Sequence, residues 1–233
     1  MAKQDIPLNL NIKELARQLR QPTGQLGKQV GLKMNKGNRE ICLNTYIQLQ
    51  PKKGDKVLEI GMGNGLFIPN LLAIADKLQY TGIDLSTTMV EEARLNNRSL
   101  IDNKRIEILE GSIESLPFVR GIFDCITTTN TIYFWSNPTK DASELWRVLK
   151  LGGKLVIGYR SKKYMDNKAI TKNGFQTYTT IELESILYNA GFRQIQTIKI
   201  KESKIKDEEG NDIQKIGCFT SGYKKKRNVD GSI

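Results

Sequence analysis

The run Val57-Leu58-Glu59-Ile60-Gly61-Met62-Gly63-Asn64-Gly65-Leu66 constrains this chain more than any other feature. A short apolar stretch of strand character enters three alternating glycines, and an apolar, helix-like segment, Leu66–Ala75, follows. Glycine in such a turn permits positive φ and lets a ligand approach the backbone closely. A turn of this kind lies at the carboxyl end of a first strand, where open α/β sheets bind ligands. A second strand, Tyr80–Asp84, ends on a carboxylate that can accept the two hydroxyls of a ribose. The bare alternative is a tight strand–helix turn with no ligand.

The rest of the chain repeats the alternation. Strand signals recur at Arg105–Leu109, Phe123–Thr128, Lys154–Tyr159, Phe192–Ile200 and Ile213–Tyr223, with helical signals at Thr88–Arg98, Asp141–Leu149 and Thr180–Ala190. Strands alternating with helices imply a mostly parallel sheet covered on both faces. A charged turn at Asp207–Asp212 joins the last two strands as a hairpin, which makes one edge antiparallel. The expected architecture is therefore a Rossmann-like, seven-stranded, mostly parallel sheet with one antiparallel edge strand, helices on both faces and an N-terminal helical lid. The lid spans residues 1–50, the cofactor-binding domain 51–225 and a flexible tail 226–233. Within the lid, Leu8, Ile12, Leu15 and Leu19 form one helical stripe after the start signals Asp5 and Pro7. Gln21–Gly37 reads as a glycine-punctuated loop, and Asn38 as the cap of a second helix ending near Leu49. Residues 161–177 are polar and irregular.

Two cofactors compete for the glycine loop. A dinucleotide fingerprint is G-x-G-x-x-G, with pyrophosphate on the helix N-terminus. Here the third glycine comes one residue early and Leu66 takes its place. Glu59 also stands just before the loop; a carboxylate repels pyrophosphate and attracts an ammonium. S-adenosylmethionine carries a ribose, an α-ammonium and a sulfonium and no phosphate, so it fits these residues better.

Composition narrows the chemistry. The 233 residues include no His, which excludes His-based triads, His general bases and His-rich metal sites. Cys42, Cys125 and Cys218 are far apart and have no metal-ligand spacing. They read as free thiols of a reducing cytoplasm. No apolar run approaches a membrane span, and the first residues lack a secretory-signal pattern. The formal charge of +11 sits on basic flanks around a mildly acidic middle. Such flanks suit an anionic substrate, nucleic acid or lipid, or are a solvated surface, to which the run Lys224–Arg227 contributes.

Further stretches carry a resemblance. Thr81-Gly82-Ile83-Asp84-Leu85-Ser86, followed by Met89 and Ala93, resembles a second-strand motif. Gly111-Ser112-Ile113-Glu114-Ser115-Leu116-Pro117-Phe118 resembles a segment after a third strand, and Phe123-Asp124 through Trp135 a fourth-strand motif. Glu144-Leu145-Trp146-Arg147-Val148-Leu149-Lys150-Leu151-Gly152-Gly153 and Tyr178 to Phe192 match later stretches. As a set, residues 55–192 resemble the class I S-adenosylmethionine-dependent methyltransferases, in the group that includes the ubiquinone/menaquinone-biosynthesis methyltransferases. The resemblance implies that Gly61, Gly63 and Gly65 line the methionine half of S-adenosyl-L-methionine, with Glu59 at its amino group. It places Asp84 on the ribose, Leu85 and Met89 beside the adenosine, Ser112 and Ile113 at the adenine edge, and Asn130 under the methionine. The group often has Asp where Ser112 stands, and often a His near Tyr133 and Phe134 that is absent here.

Methyl transfer from a sulfonium needs orientation and a dry pocket, and neither a metal nor a dedicated nucleophile. A hydroxyl or ammonium acceptor still needs a base. Tyr133 is the catalytic candidate, with Tyr46 or a carboxylate as others. Asn35, Asn38 and Tyr46 are the candidate acceptor contacts in the lid; the alternative is helices that only pack on the sheet. The acceptor expected is a small or lipid-like molecule, anionic to suit the flanks, with no stable nucleic-acid partner. The first helix also has the make-up of a basic interfacial helix, which would give peripheral membrane contact. The rival readings are an RNA methyltransferase and a non-catalytic binder of the same cofactor. Thr128-Thr129-Asn130-Thr131 lacks the Pro-Pro stretch of base-amino methyltransferases, and Cys125 follows Asp124 rather than a proline.

Overall fold

The structure, a computed structural model, describes residues 10–206, 210 and 212–225. Asp5, Pro7, Leu8 and the expected tail 226–233 lie outside the described residues. The chain runs through α1 (Ile12–Arg20), α2 (Gly24–Leu49), β1 (Lys56–Ile60), α3 (Ile68–Leu72), β2 (Gln79–Asp84), α4 (Thr87–Asn96), α5 (Arg98–Asp102) and β3 (Ile106–Glu110). It continues through β4 (Phe123–Thr129), α6 (Pro138–Val148), β5 (Leu149–Arg160), α7 (Lys162–Asp166), α8 (Thr180–Asn189), β6 (Arg193–Lys206) and β7 (Asp212–Tyr223).

The seven strands form one sheet in the order β3-β2-β1-β4-β5-β7-β6. The first five are parallel, and β7 is antiparallel to both β5 and β6. The mixed sheet is the one expected; its reversed strand sits one place in from the edge. Alternation along the strands supplies both faces. Leu58, Ile60, Ile126, Leu155 and Ile157 join a core with α6 and α8, whereas Val57, Tyr80, Cys125 and Val156 join one with α2, α3 and α4. Chain order reverses between β1 and β4, and the crevice at such a reversal is where open α/β sheets hold ligands.

Helix ends follow local chemistry. The Asn11 side chain caps α1 by accepting the Glu14 N–H at 2.8 Å, and Ser86 caps α4 by accepting the Met89 N–H at 3.1 Å. Thr179 and Glu182 close a reciprocal capping box on α8.

The expected loop at Gln21–Gly37 is a correction, as is the cap at Asn38. From Gly24 on, this stretch is part of α2, one helix of 26 residues. Its glycines mark close approach rather than a turn. A Cβ on Gly27 would lie 2.7 Å from the Pro22 carbonyl carbon, and one on Gly31 would lie 3.1 Å from the Met89 sulfur. The stretch 161–177 is also more ordered than expected: it holds α7 and a 3-10 turn, Ala169–Lys172, against which α1 packs. The β5 strand begins at Leu149, so Gly152 and Gly153 lie inside it. The helix after the glycine loop is confined to Ile68–Leu72.

Candidate functional site

A cavity opens at the carboxyl ends of β1, β2 and β4. Glu59, Gly61, Gly63, Asp84, Leu85, Met89, Ser112, Ile113 and Asn130 all line it, and so do Asn35, Asn38 and Tyr46 from α2. Gly65 and Tyr133, the other expected site residues, are not among its lining residues.

Glu59 is buried on the α2 side of β1. The Tyr46 hydroxyl donates to its Oε1 at 2.8 Å and the Tyr80 hydroxyl to its Oε2 at 2.7 Å. Glu59 faces Gly82 across the β1–β2 register. A Cβ on Gly82 would meet the Tyr80 hydroxyl at 2.8 Å, so the missing side chain is what lets Tyr80 reach the carboxylate. Burial pushes the Glu59 carboxyl up to about 7; the two hydroxyls oppose the shift and the Asp84 charge adds to it. Burial likewise raises both tyrosine hydroxyls well above their ordinary value.

Asp84 accepts the Gly63 N–H and the Ser86 N–H, each at 2.9 Å. Burial raises its carboxyl, against these backbone bonds. It thus ties the glycine loop to the start of α4. Among the described residues no lysine or arginine pairs with Glu59 or Asp84. Two buried carboxylates facing one cavity without a cation make a site that favours a cationic guest.

The glycine loop is held at both ends. Gly61 has φ +72° and donates its N–H to the Ile83 carbonyl at 2.7 Å. A Cβ there would stand 2.4 Å from Thr131 Cγ2. Gly61→Ala is expected to cost about 2 kcal/mol in chemical denaturation, from backbone strain and overpacking together. Gly65 is a correction: its Cβ position points at Asn97, Ala93 and Ile68, so this glycine lets α4 and α3 pack closely instead of lining the cavity.

Tyr133 is a second correction. It is buried, and its hydroxyl accepts the Arg160 N–H while lying 3.2 Å from the Arg160 carbonyl and 3.3 Å from Asn130 Oδ1. Burial drives the phenol far above its ordinary value. A hydroxyl so engaged is a structural clamp on Asn130, which holds a left-handed φ of +58°. Tyr133→Phe is expected to lower stability by about 1–3 kcal/mol, because the Arg160 N–H loses its acceptor. The pH dependence of turnover is expected to keep its alkaline limb unchanged.

The acceptor candidates also change position. Tyr46 lines the cavity, but its hydroxyl belongs to Glu59. Asn35 donates to Asn64 Oδ1 at 3.0 Å, which fastens α2 to the glycine loop. Asn38 lines the cavity. The α1–α2 connection is fastened across the loop after β2: Gln21 Nε2 donates to the Leu85 carbonyl and the Gly24 N–H to Thr88 Oγ1, both at 3.0 Å. The Ser86 hydroxyl donates to the Pro22 carbonyl. Ser112 Oγ accepts the Glu114 N–H at 3.2 Å and shapes the turn after β3. Phe134 lines the cavity and packs on Phe175, ring centres 4.7 Å apart. Tyr80, Cys42 and Met34 escaped the sequence reading; only the glycine opposite Glu59 signalled Tyr80.

No group of three or more Cys, Asp or Glu among the described residues has a metal-binding arrangement. No helix among them is long and apolar enough to cross a membrane.

Residues 58–157 match the family model described as a methyltransferase domain. An uncharacterized methyltransferase of Bacillus subtilis, YdaC, is 30% identical over 120 residues, which are 52% of this chain and 64% of that protein. The ubiquinone/menaquinone biosynthesis C-methyltransferase UbiE of Francisella philomiragia is 31% identical over 109 residues, 46% of this chain and 43% of that one. The chain therefore spans less than two thirds of the length of these relatives. A solved SAM-dependent methyltransferase of Thermotoga maritima superposes with a TM-score of 0.65 at 22% identity, covering 92% of this chain and 100% of that one. Sheet order, glycine loop and family match agree: residues 58–157 are similar to a methyltransferase domain, and the chain has the fold of the solved SAM-dependent methyltransferase.

Proposed function

We propose that this chain transfers a methyl group from S-adenosyl-L-methionine to a small-molecule or lipid-like acceptor, without a metal, and releases S-adenosyl-L-homocysteine. The observation that carries the reading is the pair of buried carboxylates, Glu59 and Asp84, flanking the glycine loop at the ends of β1 and β2. When bound, the cofactor supplies a methyl group on a positively charged sulfur. Glu59, held by Tyr46 and Tyr80, receives the α-ammonium; Asp84 receives the ribose hydroxyls. Gly61 and Gly63 give the backbone room beside the methionine half, with Asn130 beneath it. Leu85, Met89 and Ile113 supply apolar walls for the adenosine, and Ser112 stands at the adenine edge. The helices α1 and α2 act as a lid that excludes water, with Asn38 and the Asn35 amide toward the acceptor.

The UbiE relative is named for ubiquinone and menaquinone biosynthesis, which supports a small or lipid-like acceptor. The basic flanks suit an anionic one. They also suit peripheral membrane contact, and the lack of a Pro-Pro stretch at Thr128-Thr129-Asn130-Thr131 speaks against a nucleic-acid acceptor. The free thiols Cys42, Cys125 and Cys218 support a cytoplasmic setting.

The test is calorimetric titration with S-adenosylmethionine, S-adenosylhomocysteine and NADH, followed by release of S-adenosylhomocysteine in the presence of quinol, lipid and small-amine pools. Binding of the adenosyl ligands and turnover with one pool is the expected result. Binding of NADH instead, or of nothing, would overturn the assignment.

A further inference from the structure

Thr128, Thr131 and Trp135 form a hydrogen-bonded chain behind the glycine loop. The indole N–H of Trp135 donates to Thr131 Oγ1 at 3.1 Å. Thr131 Oγ1 lies 2.5 Å from Thr128 Oγ1, and the Thr128 hydroxyl donates to the Ile60 carbonyl at 2.8 Å. Chemistry fixes the direction at both ends, because an indole N–H only donates and a carbonyl only accepts. The single hydroxyl proton of Thr128 is used on Ile60, so Thr131 donates to Thr128. Every link therefore points one way, from Trp135 through the two threonines to the end of β1.

The chain ends on the peptide group that opens the glycine loop. Its carbonyl, from Ile60, takes the Thr128 hydroxyl, and its N–H, from Gly61, goes to the Ile83 carbonyl at 2.7 Å. Residues of β4 and β2 thus hold this peptide from opposite sides. Thr131 reaches the loop twice: through Thr128, and through its own methyl group, which fills the space a Cβ on Gly61 would need. Trp135 is buried, and it lines the cavity together with Thr131, Gly61 and Asn130. Local backbone structure does not ask for a hydroxyl here. The Phe134 N–H closes the 3-10 turn on the Thr131 carbonyl at 2.9 Å, and the Gly158 carbonyl holds the Asn130 N–H at 2.8 Å. Any residue at 131 could keep those bonds. What the threonine adds is a link between the aromatic wall of the cavity and the first glycine of its loop.

We propose that Thr131 is a positioning residue: it sets Trp135 against Gly61, and so the width of the space that receives the methionine half of the cofactor. This rests on the methyl-transfer reading and deepens it by naming what holds the site in shape before the cofactor arrives. Members of one buried hydrogen-bonded chain act as a unit, so cutting any link releases the whole.

The probe is S-adenosylhomocysteine, titrated calorimetrically. Thr131→Val keeps the size of the side chain and cuts both hydroxyl links; Thr131→Ser keeps the hydroxyl and drops the methyl group. Affinity is expected to fall about tenfold in Thr131→Val, the effect of one or two lost hydrogen bonds, and to stay within about threefold of the unaltered protein in Thr131→Ser. Thr128→Val cuts the same chain at its last link and is expected to match Thr131→Val, with the double variant no weaker than either alone. A purely structural role would lower the denaturation midpoint and leave the affinity of the folded protein unchanged. Trp135 supplies a second readout. The other tryptophan, Trp146, bonds to the Gly191 carbonyl and is not among the lining residues, so in Trp146→Phe the emission comes from Trp135 alone. Adding Thr131→Val is expected to shift that emission before any ligand is present, because the indole N–H loses its acceptor; adding Thr131→Ser is expected to leave it in place. Unchanged affinity in Thr131→Val, equal losses in Thr131→Val and Thr131→Ser, or losses that multiply in the double variant each overturn the proposal. Where Thr131→Val does not fold, unchanged affinity in Thr128→Val overturns it as well. Failure of S-adenosylhomocysteine to bind the unaltered protein removes the methyl-transfer reading and this proposal with it.

Discussion

Replacing Asp84 with alanine is expected to weaken binding of S-adenosylhomocysteine by about a hundredfold or more. The carboxylate is buried and already accepts the Gly63 and Ser86 N–H groups. Its remaining lone pairs face the cavity that Asp84 helps to line. Two ribose hydroxyls donating to a charged acceptor contribute about 1.5–3 kcal/mol each. Their joint loss alone gives the hundredfold, and release of the Gly63 N–H loosens the glycine loop further. Calorimetry on Asp84→Ala and Asp84→Asn checks this. Asparagine keeps one of the two oxygens, and so one of the two backbone bonds, so it is expected to bind more tightly than alanine and more weakly than aspartate. Unchanged affinity in both variants would remove Asp84 from the site.

The second large effect is a pH dependence carried by Glu59. Its carboxyl stands at about 7 in the folded protein against an ordinary value of 4.5. Between these values the folded state holds a proton that the unfolded state has released, so stability falls as pH rises through the window. The full loss is about 3 kcal/mol, complete above about pH 7. Glu59→Gln removes the titration; the difference between the two proteins in denaturation at pH 5 and pH 8 isolates it from other groups. An ammonium beside the carboxylate reverses the preference, because it favours the charged form. Cofactor affinity is therefore expected to rise about tenfold from pH 6 to pH 8, with about one proton released on binding at pH 6. The Gln variant is expected to bind weakly and without this slope. Equal slopes in the two proteins would mean that Glu59 is already ionised in the empty site.

Much of this was legible in the sequence because it depends on local pattern. The strand–glycine–helix run fixed the place of the cavity, and the period of the apolar residues gave the strands of the sheet. Glu59 and Asp84 stand out because a carboxylate at a strand end beside glycine has few structural uses. What stayed hidden depends on contacts between distant residues. The segment Gln21–Gly37 looks like a loop because glycine marks turns in a sequence, yet Gly27 and Gly31 are explained only by Pro22 and Met89 in space. The hydroxyls of Tyr46 and Tyr80 converge on Glu59 from two elements, so neither residue by itself announced that contact. Tyr133 fits a base by type and place, and only its engagement with the Arg160 backbone shows otherwise. Gly65 shares the spacing of Gly61 and Gly63 but turns toward α4.

The long helix α2 has a consequence for how the chain is made. It has no side-chain N-cap and no charges placed to favour its ends, and it carries four glycines. Such a helix is marginal in isolation. Its packing partners include β4, β5 and β7, and β7 ends at Tyr223. At 5–20 residues per second the interval from Leu49 to Tyr223 lasts roughly ten to thirty-five seconds on the ribosome. Through that time the buried face of α2 waits for the strands it packs against. This helix is thus synthesised before the strands that secure it.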